Sequence, residues 1–107
     1  MLDAFFNPES VAVVGASRDP EKLGHAVLAN LIEGGFEGRL YPVNPKADEI
    51  LGLRCYPSVL AVPDPIDLAV VVIPRKYVAA SLEECGQKEV KGVIIITAGF
   101  REVGSEG

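Results

Sequence analysis

A group of residues suited to holding an anion follows the short aliphatic run Val11–Val14: Gly15, Ala16, Ser17 and Arg18, with Lys22 shortly after. A glycine at the end of a strand lets a ligand approach the backbone closely. The N–H groups that follow can converge on a phosphate at the start of a helix. Ser17 adds a hydroxyl donor, and Arg18 and Lys22 add positive charge. The common fingerprints are absent. A dinucleotide loop would carry glycine at 17 and 20, where this chain has Ser17 and Pro20. The P-loop pattern fails too, with Pro20 for its second glycine and no Lys-Ser/Thr pair behind it. On this loop alone, a tight turn with no ligand stands as the alternative.

Three further segments fall where strands should end. The first is Asn44-Pro45-Lys46, at a position where NAD-binding domains usually place a carboxylate for the ribose hydroxyls. A lysine there attracts a phosphorylated ribose, as in NADP or coenzyme A. The second, Ile73-Pro74-Arg75, turns the chain out of the sheet, since proline has no N–H to donate. Cations opening the next helix are unfavourable there unless an anion lies nearby. The third, Thr97-Ala98-Gly99, is a small, open backbone past which a slender ligand arm could slide. Four such tips on one sheet edge predict a ligand groove.

The elements that must present these tips are legible as four aliphatic runs, at 11–15, 39–43, 67–73 and 92–97. They do not alternate, which is the pattern of parallel strands buried on both faces. A helix is expected between the first two, capped by Asp19 with Pro20 in its first position and stopped by Gly34-Gly35. Leu23, Ala26, Val27 and Leu31, with Asn30, would face the sheet. A second helix over "RKYVAASLEECGQK" would turn Val78, Leu82 and Cys85 inward and end at Gly86. The proline-rich link from Val43 to Asp67 reads as a crossover of short pieces, helical around "ADEILG" and "SVLAV". Together these predict a doubly wound, mainly parallel α/β domain of Rossmann-like type. "AGFREVGSEG" enters what resembles another helix start, as expected of the N-terminal piece of a longer protein.

The bulk composition fits this reading. The 107 residues make one domain, 49% hydrophobic and 23% charged. A net charge of −5 argues against a nucleic-acid partner. The aliphatic runs are too short to span a membrane, and no signal peptide is read, so the expected compartment is the cytoplasm. Cys55 and Cys85 read as free thiols with no metal-site spacing, and His25 reads as a helix-surface or packing residue.

The blocks "LDAFFNPESVAVVGASRDPEKLG", "GRLYPVNPK", "LGLRCYPSV", "DLAVVVIP" and "GVIIITAGFRE" resemble, in order, the N-terminal CoA-binding domain of NDP-forming acyl-CoA synthetases. That family includes the ADP-forming acetate–CoA ligases and, more distantly, succinyl-CoA synthetase α subunits. The resemblance implies that Gly15, Ala16, Ser17 and Arg18 contact the phosphate and ribose of CoA, and that Lys46 contacts CoA as well. It implies that Ile73 and Pro74 border its adenine or pantetheine, and that Thr97, Ala98 and Gly99 lie along its arm. Ala98 replaces the family's acid, so no charged role is carried to that position. The family reaction runs through a phosphohistidine in a later domain, with a nucleotide-grasp domain. This chain is therefore expected to bind CoA or acyl-CoA without catalysing. Three alternatives stay open: a regulatory CoA-binding domain of a protein acetyltransferase, a stand-alone CoA-binding protein, and an NADP-dependent oxidoreductase domain.

Overall fold

The structure, a computed structural model, describes residues 7–96. Four strands form one parallel sheet: β1 (Ser10–Val14), β2 (Arg39–Val43), β5 (Leu68–Val71) and β6 (Gly92–Ile95), in the order β2-β1-β5-β6. Helix α1 (Leu23–Glu33) joins β1 to β2, and α2 (Val78–Lys88) joins β5 to β6. The doubly wound, mainly parallel architecture expected from the aliphatic runs is thus present. From β1 the chain steps to one side for β2, then crosses to the other for β5. That reversal opens a crevice at the carboxyl ends of β1 and β5, the place where such sheets bind ligands.

Side-chain alternation along the strands divides the core in two. Val11, Val13, Leu68 and Val70 pack with Leu28 of α1, whereas Ala12, Val14, Ala69 and Val71 pack with Cys85 of α2. The edge strand β6 departs from the expectation of burial on both faces. Ile94 is 40% and Ile95 43% exposed, because β6 has one strand neighbour among the described residues.

Helix α1 starts later and turns a different face inward than its sequence suggests. Asp19 caps a preceding turn instead of the helix, its Oδ1 accepting from the Glu21 N–H at 3.0 Å and its carbonyl from the Lys22 N–H at 3.0 Å. Lys22 occupies the N-cap, with no side-chain capping bond. Gly24 and Leu28 are the innermost residues, Val27 and Leu31 flank them, and Leu23 and Asn30 are exposed. The cause is Gly24. A Cβ there would run into the carbonyl oxygen of Gly15, so only glycine lets the helix settle onto the first loop. That contact rotates the Gly24–Leu28 line inward. Gly34 and Gly35 end the helix as expected, donating to the carbonyls of Asn30 and Ile32.

In α2 the buried residues are Ser81 and Cys85, and Leu82 is 38% exposed. The helix runs through Gly86 to Lys88 and ends at Glu89 in the left-handed region (φ 64°). Val90 then folds back against the core.

The Val43–Asp67 link divides into two parts. A short 3₁₀ turn, Val59–Ala61, fits the helical expectation there. The "ADEILG" segment instead forms half of an antiparallel hairpin, β3 (Glu49–Ile50) with β4 (Leu53–Arg54). Its two turn residues, Leu51 (φ 52°) and Gly52 (φ 80°), both have positive φ, the geometry that matches strand twist in two-residue hairpins.

Candidate functional site

A groove of about 1320 Å³ runs along the carboxyl ends of β1, β2 and β5. Its floor is the first loop. Gly15 has φ 97° and donates its N–H to the Val43 carbonyl at 2.9 Å, while a Cβ at that position would meet the Val72 carbonyl. Only glycine can make this turn between two neighbouring strand ends. Ala16 and Ser17 follow along the groove. The Ser17 hydroxyl oxygen accepts the Asp19 N–H at 3.0 Å, which leaves its proton free to donate to a ligand. Lys22, Leu23 and Gly24 bring the start of α1, with its positive dipole end, onto the same wall.

The second tip supplies Asn44 and Lys46, and the third supplies Ile73, Pro74 and Arg75. Nine sequence-predicted residues therefore meet in one groove. Arg18 does not line it. Its Nε donates to the Glu49 carbonyl at 2.9 Å, fastening the loop to the β3–β4 hairpin. Thr97, Ala98 and Gly99 lie outside the described residues.

Several lining residues escaped the sequence reading. Tyr77, Ser81 and Glu84 come from the 3₁₀ turn before α2 and from α2 itself, and Pro57 and Ser58 line the groove as well. The spacing of Tyr77, Ser81 and Glu84, one helical turn apart each, was the available signal.

Lys22, Lys46 and Arg75 are exposed cations around the groove, and Glu84 is the carboxylate among its lining residues. Among the described residues, the ion pair is Lys91–Asp67, at the other end of the sheet. The groove thus offers cations and backbone donors to an anionic, partly apolar ligand within an acidic chain. Neither cysteine lines it. Burial pushes the Cys55 and Cys85 thiols up, aided for Cys85 by the Glu84 charge, so both stay protonated at neutral pH. His25 lies in α1 and is not among the lining residues, and no metal-holding cluster occurs among the described residues.

The sequence over residues 9–103 matches the CoA binding domain family. The chain belongs to that family. This CoA binding domain is 54% identical, over its whole length, to the acetate–CoA ligase [ADP-forming] II subunit alpha of Pyrococcus furiosus, covering 23% of that protein. It superposes with a TM-score of 0.90 on the apo dinucleotide-forming acetyl-coenzyme A synthetase 1 of Ca. Korarchaeum cryptofilum. That match has 50% identity and covers 99% of this chain and 23% of the other. A conserved hypothetical protein of Pyrococcus furiosus matches at 36% identity and a TM-score of 0.75, with 82% of this chain and 74% of that one covered. The CoA binding domain thus spans about a quarter of the length of the Pyrococcus furiosus subunit and of the Ca. Korarchaeum cryptofilum synthetase chain. No described helix is long and apolar enough to cross a membrane.

Proposed function

We propose that this chain holds coenzyme A in the groove as the CoA-positioning unit of an ADP-forming acid–thiol ligase. The diphosphate lies on the Gly15–Ser17 loop and the start of α1, with Lys22 beside it. Lys46 takes the 3′-phosphate. The apolar part of the ligand runs over Ile73 and Pro74, flanked by Arg75, and its arm continues along Thr97, Ala98 and Gly99. The observation that carries this reading is the conjunction of a phosphate-type glycine loop with a lysine, and no carboxylate, at the second strand tip.

The unit works by positioning. It fixes the thiol end relative to ligase and nucleotide-grasp domains that carry the phosphohistidine chemistry, in a cytoplasmic enzyme. Neither Cys55 nor Cys85 lines the groove, and both thiols are buried and protonated. The match to a shorter hypothetical protein, largely covered by this domain, favours a second reading: a CoA-binding protein acting on its own.

Calorimetric titration with CoA, dephospho-CoA and NADP tests the proposal. CoA should bind most tightly, and Lys46→Ala should remove most of its advantage over dephospho-CoA. Binding of NADP without CoA would contradict the assignment.

A further inference from the structure

We infer that Asn44 is a positioning residue, coupling the Gly15–Ser17 loop to Lys46 and so setting the preference for a ligand phosphorylated on its ribose. This rests on the CoA reading above, and it assigns Asn44 a role other than direct ligand contact. The Asn44 side-chain Nδ2 donates to the Ala16 carbonyl at 2.8 Å, and its Oδ1 accepts the Lys46 N–H at 2.8 Å. Only one orientation of the amide satisfies both partners, since a carbonyl needs a donor and an N–H needs an acceptor. The Asn44 backbone is committed as well: its N–H donates to the Tyr56 carbonyl at 2.9 Å, and its carbonyl accepts the Cys55 thiol at 3.5 Å. One Nδ2 hydrogen and one Oδ1 lone pair remain for a ligand.

The same residue thus touches both phosphate-holding segments. Pro45, between Asn44 and Lys46, has no N–H of its own, so the Lys46 N–H on Oδ1 at 2.8 Å and the longer Ala47 N–H on the Asn44 carbonyl at 3.4 Å close the turn that carries Lys46. The β3–β4 hairpin reinforces the link. Arg18 ties the first loop to Glu49, and the Cys55 N–H donates to the Asp48 carbonyl at 2.8 Å, closing the hairpin beneath Asn44. A shift at Asn44 therefore changes the distance between diphosphate loop and lysine, and with it the fit of a ligand carrying phosphate at both points.

Asn44→Ala removes both bonds. Asn44→Asp keeps the acceptor for Lys46 but sets an oxygen against the Ala16 carbonyl, so it breaks one arm with little change of shape. Two measurements on the chain decide the matter. In amide hydrogen exchange without ligand, Asn44→Ala should speed exchange of the Lys46 N–H about tenfold or more, the scale of one lost hydrogen bond. Asn44→Asp should leave Lys46 protected while the Gly15 N–H, bonded to Val43, exchanges faster. In titrations, Asn44→Ala should weaken CoA about tenfold and dephospho-CoA about threefold, lowering the ratio between them. A merely structural residue would lower both alike. An unchanged ratio, or a Lys46 amide that exchanges equally in wild type and Asn44→Ala, overturns the inference. If the wild type binds neither ligand, the CoA reading fails, and hydrogen exchange still decides whether Asn44 couples the two segments.

Discussion

The two ends of the parallel sheet treat their polar groups in opposite ways. At the amino end, the protein satisfies them itself. Asp67 accepts the Glu9 N–H at 2.8 Å and pairs with Lys91 at 3.5 Å, and the Ser10 hydroxyl bridges Pro65 and the Asp67 N–H. Tyr41 donates to Asp64 at 2.8 Å and accepts from Arg39 at 3.0 Å. A cavity of about 1090 Å³ lies at this end, bordered by Phe36, Glu37, Arg39, Asp67 and Lys91, and its two cations already have partners, Lys91 in Asp67 and Arg39 in the Tyr41 hydroxyl. At the carboxyl end, Lys22, Lys46 and Arg75 have no ion pair among the described residues, and the Gly15–Ser17 loop lines the groove. One end closes the fold; the other leaves donors for a ligand to complete.

Substitutions can break this contrast in either direction, and the largest effect is expected at the first loop. Gly24→Ala forces α1 away from the Gly15 carbonyl, so it should destabilise the chain by about 3 kcal/mol, in the range of core overpacking, and abolish CoA binding. Urea unfolding with parallel titration checks both. Next comes Tyr41→Phe, which deletes the hydroxyl shared by Asp64 and Arg39. It should cost about 1 kcal/mol of stability and leave CoA affinity unchanged, because the lost bonds are at the other end.

A smaller effect follows from Asp67, whose carboxyl is held below the usual range by the Glu9 N–H, with Lys91 contributing. A carboxyl depressed in the folded state adds stability above its unfolded value of about 4, and that contribution is lost as pH falls through the lower folded value. Urea midpoints should therefore drop on acidification below about pH 4, and Asp67→Asn should flatten the profile in that window while lowering stability at pH 7.

Which features were readable in the sequence follows from how local their causes are. The four strands and the first three tips were legible because uninterrupted aliphatic runs have few alternatives to buried parallel strands. The inward face of α1 was not. Four apolar residues with Asn30 gave no unique stripe, and the choice was made by Gly24 contacting Gly15, a tertiary contact between two residues without side chains. The hairpin was hidden because "ADEILG" has good local helix formers, and its turn uses Leu51 at positive φ where asparagine would have signalled it. Missing the hairpin also misplaced Arg18, whose guanidinium looked free for a ligand until the Glu49 backbone carbonyl was found accepting from its Nε. In α2, Ser81 and Cys85 are buried where Leu82 was expected, and that misjudged face hid the fact that this helix walls the groove.

The most direct test of the contrast is a CoA titration followed through the backbone amide resonances of the chain. The account predicts saturable shifts at Gly15–Ser17, Lys22–Gly24, Lys46 and Ile73–Arg75, with Gly35–Arg39, Asp67 and Lys91 unmoved. Shifts centred on the amino-end residues, or none at the glycine loop, would contradict it.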